Sequence, residues 1–291
     1  MDLSVAPADA NRTAGADSWR LRAPPGGSVQ VRRPTFDLAG STPHWGDNAA
    51  ACNVVNAGGI TPPPIERYLI KVLRRAKQEL DPEADSDLIE AVTSFNQQEA
   101  QHFKLHAEYL AMLATKGYPR IGEHEAAFEA ELDEFLATRD LAWNLGYSEG
   151  FESTGAAMAS GWLDGPMAEL CGDHGSEVMC LWRWHLAEEF EHRSVVHDVL
   201  HRLYGPERAH QLRCTVGEFA RGHYGDHAGR AAAYLFAVDR ASMTAAEVAA
   251  SEAAVHAANE CIKIFGSYGF SAEFPAERFY RDAKTLQIVE G

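Results

Sequence analysis

The chain has 291 residues, of which 42 are acidic and 26 basic, giving a net charge of −16. That balance argues against nucleic acid or an anionic membrane as the main partner, and no run approaches the 18 apolar residues of a transmembrane helix. Hydrophobic residues make up 46%, enough for a real core in one large or two smaller domains. The five cysteines (Cys52, Cys171, Cys180, Cys214 and Cys261) are an odd, scattered set without a CxxC pair. They read as reduced thiols of a cytoplasmic protein, and the N-terminus lacks the basic-then-apolar pattern of a secretory signal.

Residues 1–45, rich in Ala, Pro, Gly and Arg, show no apolar period and read as a mostly disordered arm, with parts free to dock on the domain. Gly58 to Pro64 is expected to be an extended lead-in, with Pro64 suited to a first helical turn. The pattern then becomes helical. A first helix is expected over 64–80, with Ile65, Leu69, Val72, Leu73 and Ala76 on one face. A second covers 86–116, opened by Asp85 or Ser86 and closed by Gly117. A third covers 125–162, where Gly146, Gly150 and Gly155 allow a kink or break. A fourth covers 175–204 and stops at Gly205-Pro206. Helices of about 30 residues reach about 45 Å, and their short connections imply an antiparallel bundle over 46–206. Residues 207–291 form a helical tail, with shorter helices near 207–222, 228–240, 244–265 and 275–285. No strand-like alternation is present, so the fold class is all-α.

The informative feature is where the apolar seams are interrupted. The second helix presents Leu88, Val92, Phe95, Glu99, His102, His106, Tyr109 and Leu113 at spacings of 4 and 3, all on one face. The fourth presents Val178, Leu181, His185, Glu189, His192, Val196, Val199 and Leu203 in the same way. Burying these ionisable groups without partners costs several kcal/mol each, so they are neutralised either by a carboxylate–imidazole lattice or by metal. The residue types point to metal. Glu99-x-x-His102 and Glu189-x-x-His192 are Glu-x-x-His pairs on two different helices. That is the dimetal signature of a ferritin-like four-helix bundle, which is completed by one Glu from each remaining helix. Glu66, on the apolar face of the first helix, and Glu152, beside the small-residue run 153–160 of the third, complete it here. Glu149, one turn before Glu152, is the alternative ligand. His185 projects with Glu189 and His192 and is expected as a seventh ligand. Glu188 reads as a supporting residue or a solvated one, His106 as a supporting or core histidine, and Asp198 as a surface residue or a partner of a ligand histidine. Four carboxylates balance two divalent ions, and mixed carboxylate and imidazole ligation suits iron or manganese better than structural zinc.

The run Phe95 to His106, followed by Trp184-His185-Leu-Ala-Glu188-Glu189-Phe-Glu191-His192-Arg193, resembles a bacterial family of "predicted metal-dependent hydrolases" over about 45–205. The ligand spacing also resembles that of diiron N-oxygenases acting on arylamines, which place a third histidine where His185 stands. Residues 229–291 resemble the end of an acyl-CoA dehydrogenase. The matching runs are Ala249 to Ala254, Ile264 to Phe270, Phe274 to Lys284, and Gln287 to Gly291. Glu290 matches that family's α-proton base, but Lys263 stands where a flavin-contacting Gln is usual, and the family's N-terminal and middle domains are absent. FAD is therefore not expected, and the tail is expected to pack on the bundle or mediate homo-oligomerisation.

Together these features imply an O2-dependent enzyme with two iron ions, or a Mn/Fe pair, acting on a small organic substrate with an external electron donor. The alternatives are a hydrolase using a metal-bridged hydroxide and a non-catalytic metal-binding or structural bundle.

Overall fold

The computed structural model describes residues 29–163, 167–173, 175–242 and Val255, and everything regular in it is helical. Residues 29–48 run over the surface, with Leu38 inserted into the core. The arm drawn at 1–45 therefore divides, since its last part lies against the helices. The lead-in also differs from the expectation. A helix, α1 (Ala49–Gly58), precedes it, capped by the Asn48 side chain, which accepts from the Ala51 amide. Its sequence carries mainly small and amide residues, so no apolar period announces it.

Helix α2 (Pro62–Lys77) begins on three consecutive prolines, whose missing N–H groups lie where the first turn has no acceptor anyway. Helix α3 (Ser86–Thr115) is a single 30-residue rod. The third expected helix is two: α4 (Ile121–Thr138) and α5 (Leu141–Leu163), broken at Arg139, whose ψ of 152° is extended. The break does not fall at a glycine. Gly146 and Gly150 instead let α5 approach the segment that follows α8: a Cβ on Gly150 would sit 2.5 Å from the Gly217 Cα, and one on Gly146 3.1 Å from the Leu212 Cβ.

After the short α6 (Met167–Cys171), the fourth expected helix is also two, α7 (Glu177–His192) and α8 (Val195–Leu212), separated at Arg193–Ser194. Helix α8 passes through the expected stop at Gly205-Pro206 with a kink, Gly205 taking a φ of 74°. A π-helical turn (Arg213–Gly217) leads into α9 (Glu218–Ser242). Apart from Val255, the helices expected near 244–265 and 275–285, with Lys263 and Glu290, lie outside the described residues.

Four helices form a closed ring of neighbours: α2 on α3, α3 on α7, α7 on α5, and α5 on α2. Their apolar faces make two separate clusters. One gathers Leu105 to Leu113 of α3 with Val178 to Leu186 of α7 and Ala231 and Leu235 of α9. The other gathers α2 with Val92 and Phe95 of α3, Leu141 to Tyr147 of α5 and Val195 to Leu200 of α8. Between them the helices carry a buried polar layer.

Candidate metal centre

The polar layer holds all seven residues singled out on the seams. Glu66 comes from α2, Glu99 and His102 from α3, Glu152 from α5, and His185, Glu189 and His192 from α7. None is more than 3% exposed. They sort into two groups of potential ligand atoms, each group within 4.8 Å: Glu66, His102 and His185 in one, Glu99, Glu152, Glu189 and His192 in the other. Glu189 lies between them, its Oε1 2.9 Å from His185 Nε2 and 3.7 Å from His102 Nδ1, its Oε2 3.5 Å from His192 Nε2. Glu99 Oε1 spans them too, 3.7 Å from His102 Nδ1 and 3.2 Å from His192 Nε2. Glu66 lies 3.5 Å from His185 Nε2 in the first group, and Glu152 3.4 Å from His192 Nε2 in the second.

Each imidazole is fixed from behind. His102 Nε2 donates to Glu188 Oε2 at 3.1 Å, and Glu188 accepts from the Arg32 guanidinium at 3.0 Å. His192 Nδ1 donates to Gln98 Oε1 at 2.8 Å; the Gln98 amide nitrogen is committed to the Gln30 carbonyl at 3.0 Å, which orients the amide. His185 Nδ1 and His106 Nε2 share a hydrogen bond of 2.7 Å. A carboxylate and an amide oxygen only accept, so the outer nitrogens of His102 and His192 carry hydrogen, and each ring in its neutral form turns the lone pair of its inner nitrogen towards the layer. Trp184 stacks edge-on against His102, and Trp182 packs against both His185 and His106. Gly155 makes room on the α5 side, where a Cβ would stand 2.7 Å from Glu189 Oε2.

The electrostatics are those of carboxylates crowded together away from water. Burial, reinforced by the neighbouring carboxylates, pushes Glu66 and Glu152 well above the usual carboxylate range and Glu99 up to about 8. Glu189 goes the other way: burial opposes its ionisation, but His192 and His185 outweigh that and hold it well below its ordinary value. His192 is correspondingly raised by Glu189 and Glu152 against its own burial. Burial lowers His102, His185 and His106. Both oxygens of Glu66, Glu99 and Glu152, with Glu189 Oε2, His102 Nδ1 and His192 Nε2, are buried without a hydrogen-bond partner. Buried polar atoms left in this state are costly, and those named all belong to the two groups. The donor set fits a pair of divalent cations, with hard oxygens and borderline nitrogens.

The alternatives raised by the sequence fall elsewhere. Glu149 turns away to Arg213 Nε at 2.8 Å and His197 at 3.6 Å. Asp198 lines a separate pocket with His201 and Arg202. Sequence reasoning missed Gln98 and Arg32. Gln98 directly precedes Glu99 and follows no seam, and Arg32 lies in the arm; only the spatial neighbours of His192 and Glu188 pick them out.

The profile of a protein family described as "Predicted metal-dependent hydrolase" matches residues 30–274. The chain belongs to this family. The match runs further at both ends than the resemblance over 45–205, and it takes in the docked segment that carries Arg32. Short stretches also match acyl-CoA dehydrogenases. Glutaryl-CoA dehydrogenase of Desulfococcus multivorans is 52% identical over 46 residues, 16% of this chain and 12% of that protein. Acyl-CoA dehydrogenase of Bacillus subtilis is 52% identical over 42 residues, 14% of this chain and 11% of that protein. A probable short/branched chain specific acyl-CoA dehydrogenase of Dictyostelium discoideum is 50% identical over 54 residues, 19% and 13%. The chain thus spans only about an eighth of these relatives. No solved structure matches it significantly. No described helix is long and apolar enough to cross a membrane.

Proposed function

We propose that this chain is a ferritin-like dinuclear enzyme that uses iron, or a Mn/Fe pair, and O2 to oxidise a small organic substrate, drawing on an external electron donor. The observation that carries the reading is a fully buried set of four carboxylates and three imidazoles in two adjoining groups, in which all four carboxylates and two of the imidazoles, His102 and His192, keep orphaned atoms, with Glu189 and Glu99 placed to serve both groups. Bound iron would supply the redox chemistry on O2; the chain does the rest. Glu66 and Glu152 each serve one group. His102, His185 and His192 offer lone pairs whose direction is set by Glu188, His106 and Gln98. The apolar clusters on either side exclude water from the layer. Full burial of every ligand favours a reactant as small as O2 over direct entry of a bulky ester.

The family description favours a second reading, hydrolysis of an ester or amide by metal-activated water. One experiment separates them. Protein produced with iron is analysed for metal, reduced without air, and followed optically on adding O2. Two iron equivalents and an O2-dependent absorption change support the oxidative reading. Zinc in place of iron or manganese, or ester turnover without O2 or reductant, would overturn it in favour of hydrolysis.

A further inference from the structure

A second group of ligand-type side chains lies outside the bundle-core layer and shares no residue with it. Glu131 of α4 faces His223 and His227 of α9, and their ligand-type atoms all lie within 4.8 Å. The histidines stand one helical turn apart, so both rings leave α9 on one side. His223 Nε2 is 2.7 Å from Glu131 Oε2, and His227 Nε2 is 3.3 Å from Glu131 Oε1.

An ion pair alone leaves this arrangement incomplete. His227 is only 2% exposed, yet its Nε2 has no hydrogen-bond partner. That buried, unsatisfied nitrogen points at the carboxylate and the other imidazole. Burial holds His227 towards its neutral form, the form that ligates metal. His223 is backed by the Tyr147 hydroxyl, 2.7 Å from its Nδ1, which can accept an Nδ1–H when Nε2 is engaged. Phe128 packs on both rings and fixes their planes. The Glu131 side chain is 44% exposed, which leaves an entry path and a direction for water.

We propose that Glu131, His223 and His227 form a separate mononuclear site for a zinc-class divalent ion, joining α4 to α9. Two imidazoles, one carboxylate and a solvent molecule make the four-coordinate set such an ion takes. It differs from the core layer in having one carboxylate in place of four, and in opening to solvent.

The test uses the full chain with its core layer already loaded with iron, titrated with Co2+ and followed by visible absorption. The expected result is one further equivalent with the absorption of tetrahedral cobalt, displaced by Zn2+. Glu131→Gln, at a half-exposed position, should bind that equivalent about tenfold or more weakly while keeping a native circular dichroism spectrum. His227→Gln should do the same; if it misfolds, Glu131→Gln carries the test. No further equivalent in the parent chain, or an unchanged titration in a folded Glu131→Gln chain, would overturn the site.

Discussion

An imidazole that binds metal must present a lone pair, and what stands behind the ring decides whether it does. Gln98 performs that task for His192. Replacing it by leucine removes the acceptor while keeping a side chain of similar size. Gln98→Leu is expected to weaken metal binding about 10–100-fold, read by iron titration, with helical content unchanged. Gly155 poses the opposite test, of space. In an ordinary helix interior Gly→Ala gains up to about 1 kcal/mol, but here the methyl group would stand 2.7 Å from Glu189 Oε2. Gly155→Ala should therefore lower the metal content per chain while the metal-free protein melts no lower than the parent; full metal content would mean that Glu189 moves freely. At this scale the sequence was informative about the seven seam residues, because an ionisable group on an apolar period is visible one helix at a time. It was silent on Gln98 and Arg32, whose roles depend on neighbours 94 and 156 residues away.

Helices are legible where an apolar period runs, and their ends are legible where a cap or proline marks them. Helices α2 and α3 meet both conditions and fall close to expectation. Helix α1 has too few large apolar residues to show a period, although most of it is buried. The breaks at Arg139 and at Arg193–Ser194 carry neither glycine nor proline, so nothing local announces them. The glycines of α5 allow a kink or break by sequence, and in the structure they serve contacts that only the facing segments reveal. Gly150 faces the backbone of Gly217 inside the π-helical turn, and backbone cannot rotate aside as a long side chain would. Gly150→Ala should therefore destabilise the fold by about 1–3 kcal/mol through overpacking, against the gain its helix propensity alone would bring. Urea denaturation measures the difference, and an increase in stability would show that the two segments have room to separate.

At the scale of the whole molecule, the core layer sits between two apolar clusters, so the chain segments that tie the outside together carry the burden of closing it. One tie is built on Asp239 of α9. Its carboxylate accepts from Asn53 of α1 at 2.6 Å and Tyr118 at 2.6 Å, and pairs with His44 of the docked N-terminal segment at 2.9 Å. Burial alone would raise Asp239, but these hydrogen bonds outweigh it and hold its carboxyl below the ordinary value. The same pairing raises His44 above its ordinary value. The signs set a window. A carboxylate depressed in the folded state contributes fully above its unfolded value of about 4, and that contribution fades as pH falls through the folded value. A histidine raised in the folded state contributes fully below its unfolded value of about 6.5, and that contribution fades as pH rises through the folded value. Both act together between about pH 4 and 6.5. The melting temperatures of the parent chain and Asp239→Asn, compared across pH, should differ most within that window, narrowing on the acid side as Asp239 protonates and on the alkaline side as His44 loses its charge. A difference that does not vary with pH would assign the loss to the neutral hydrogen bonds from Asn53 and Tyr118, and would remove the charge pair from the account of how the N-terminal segment is held to α9.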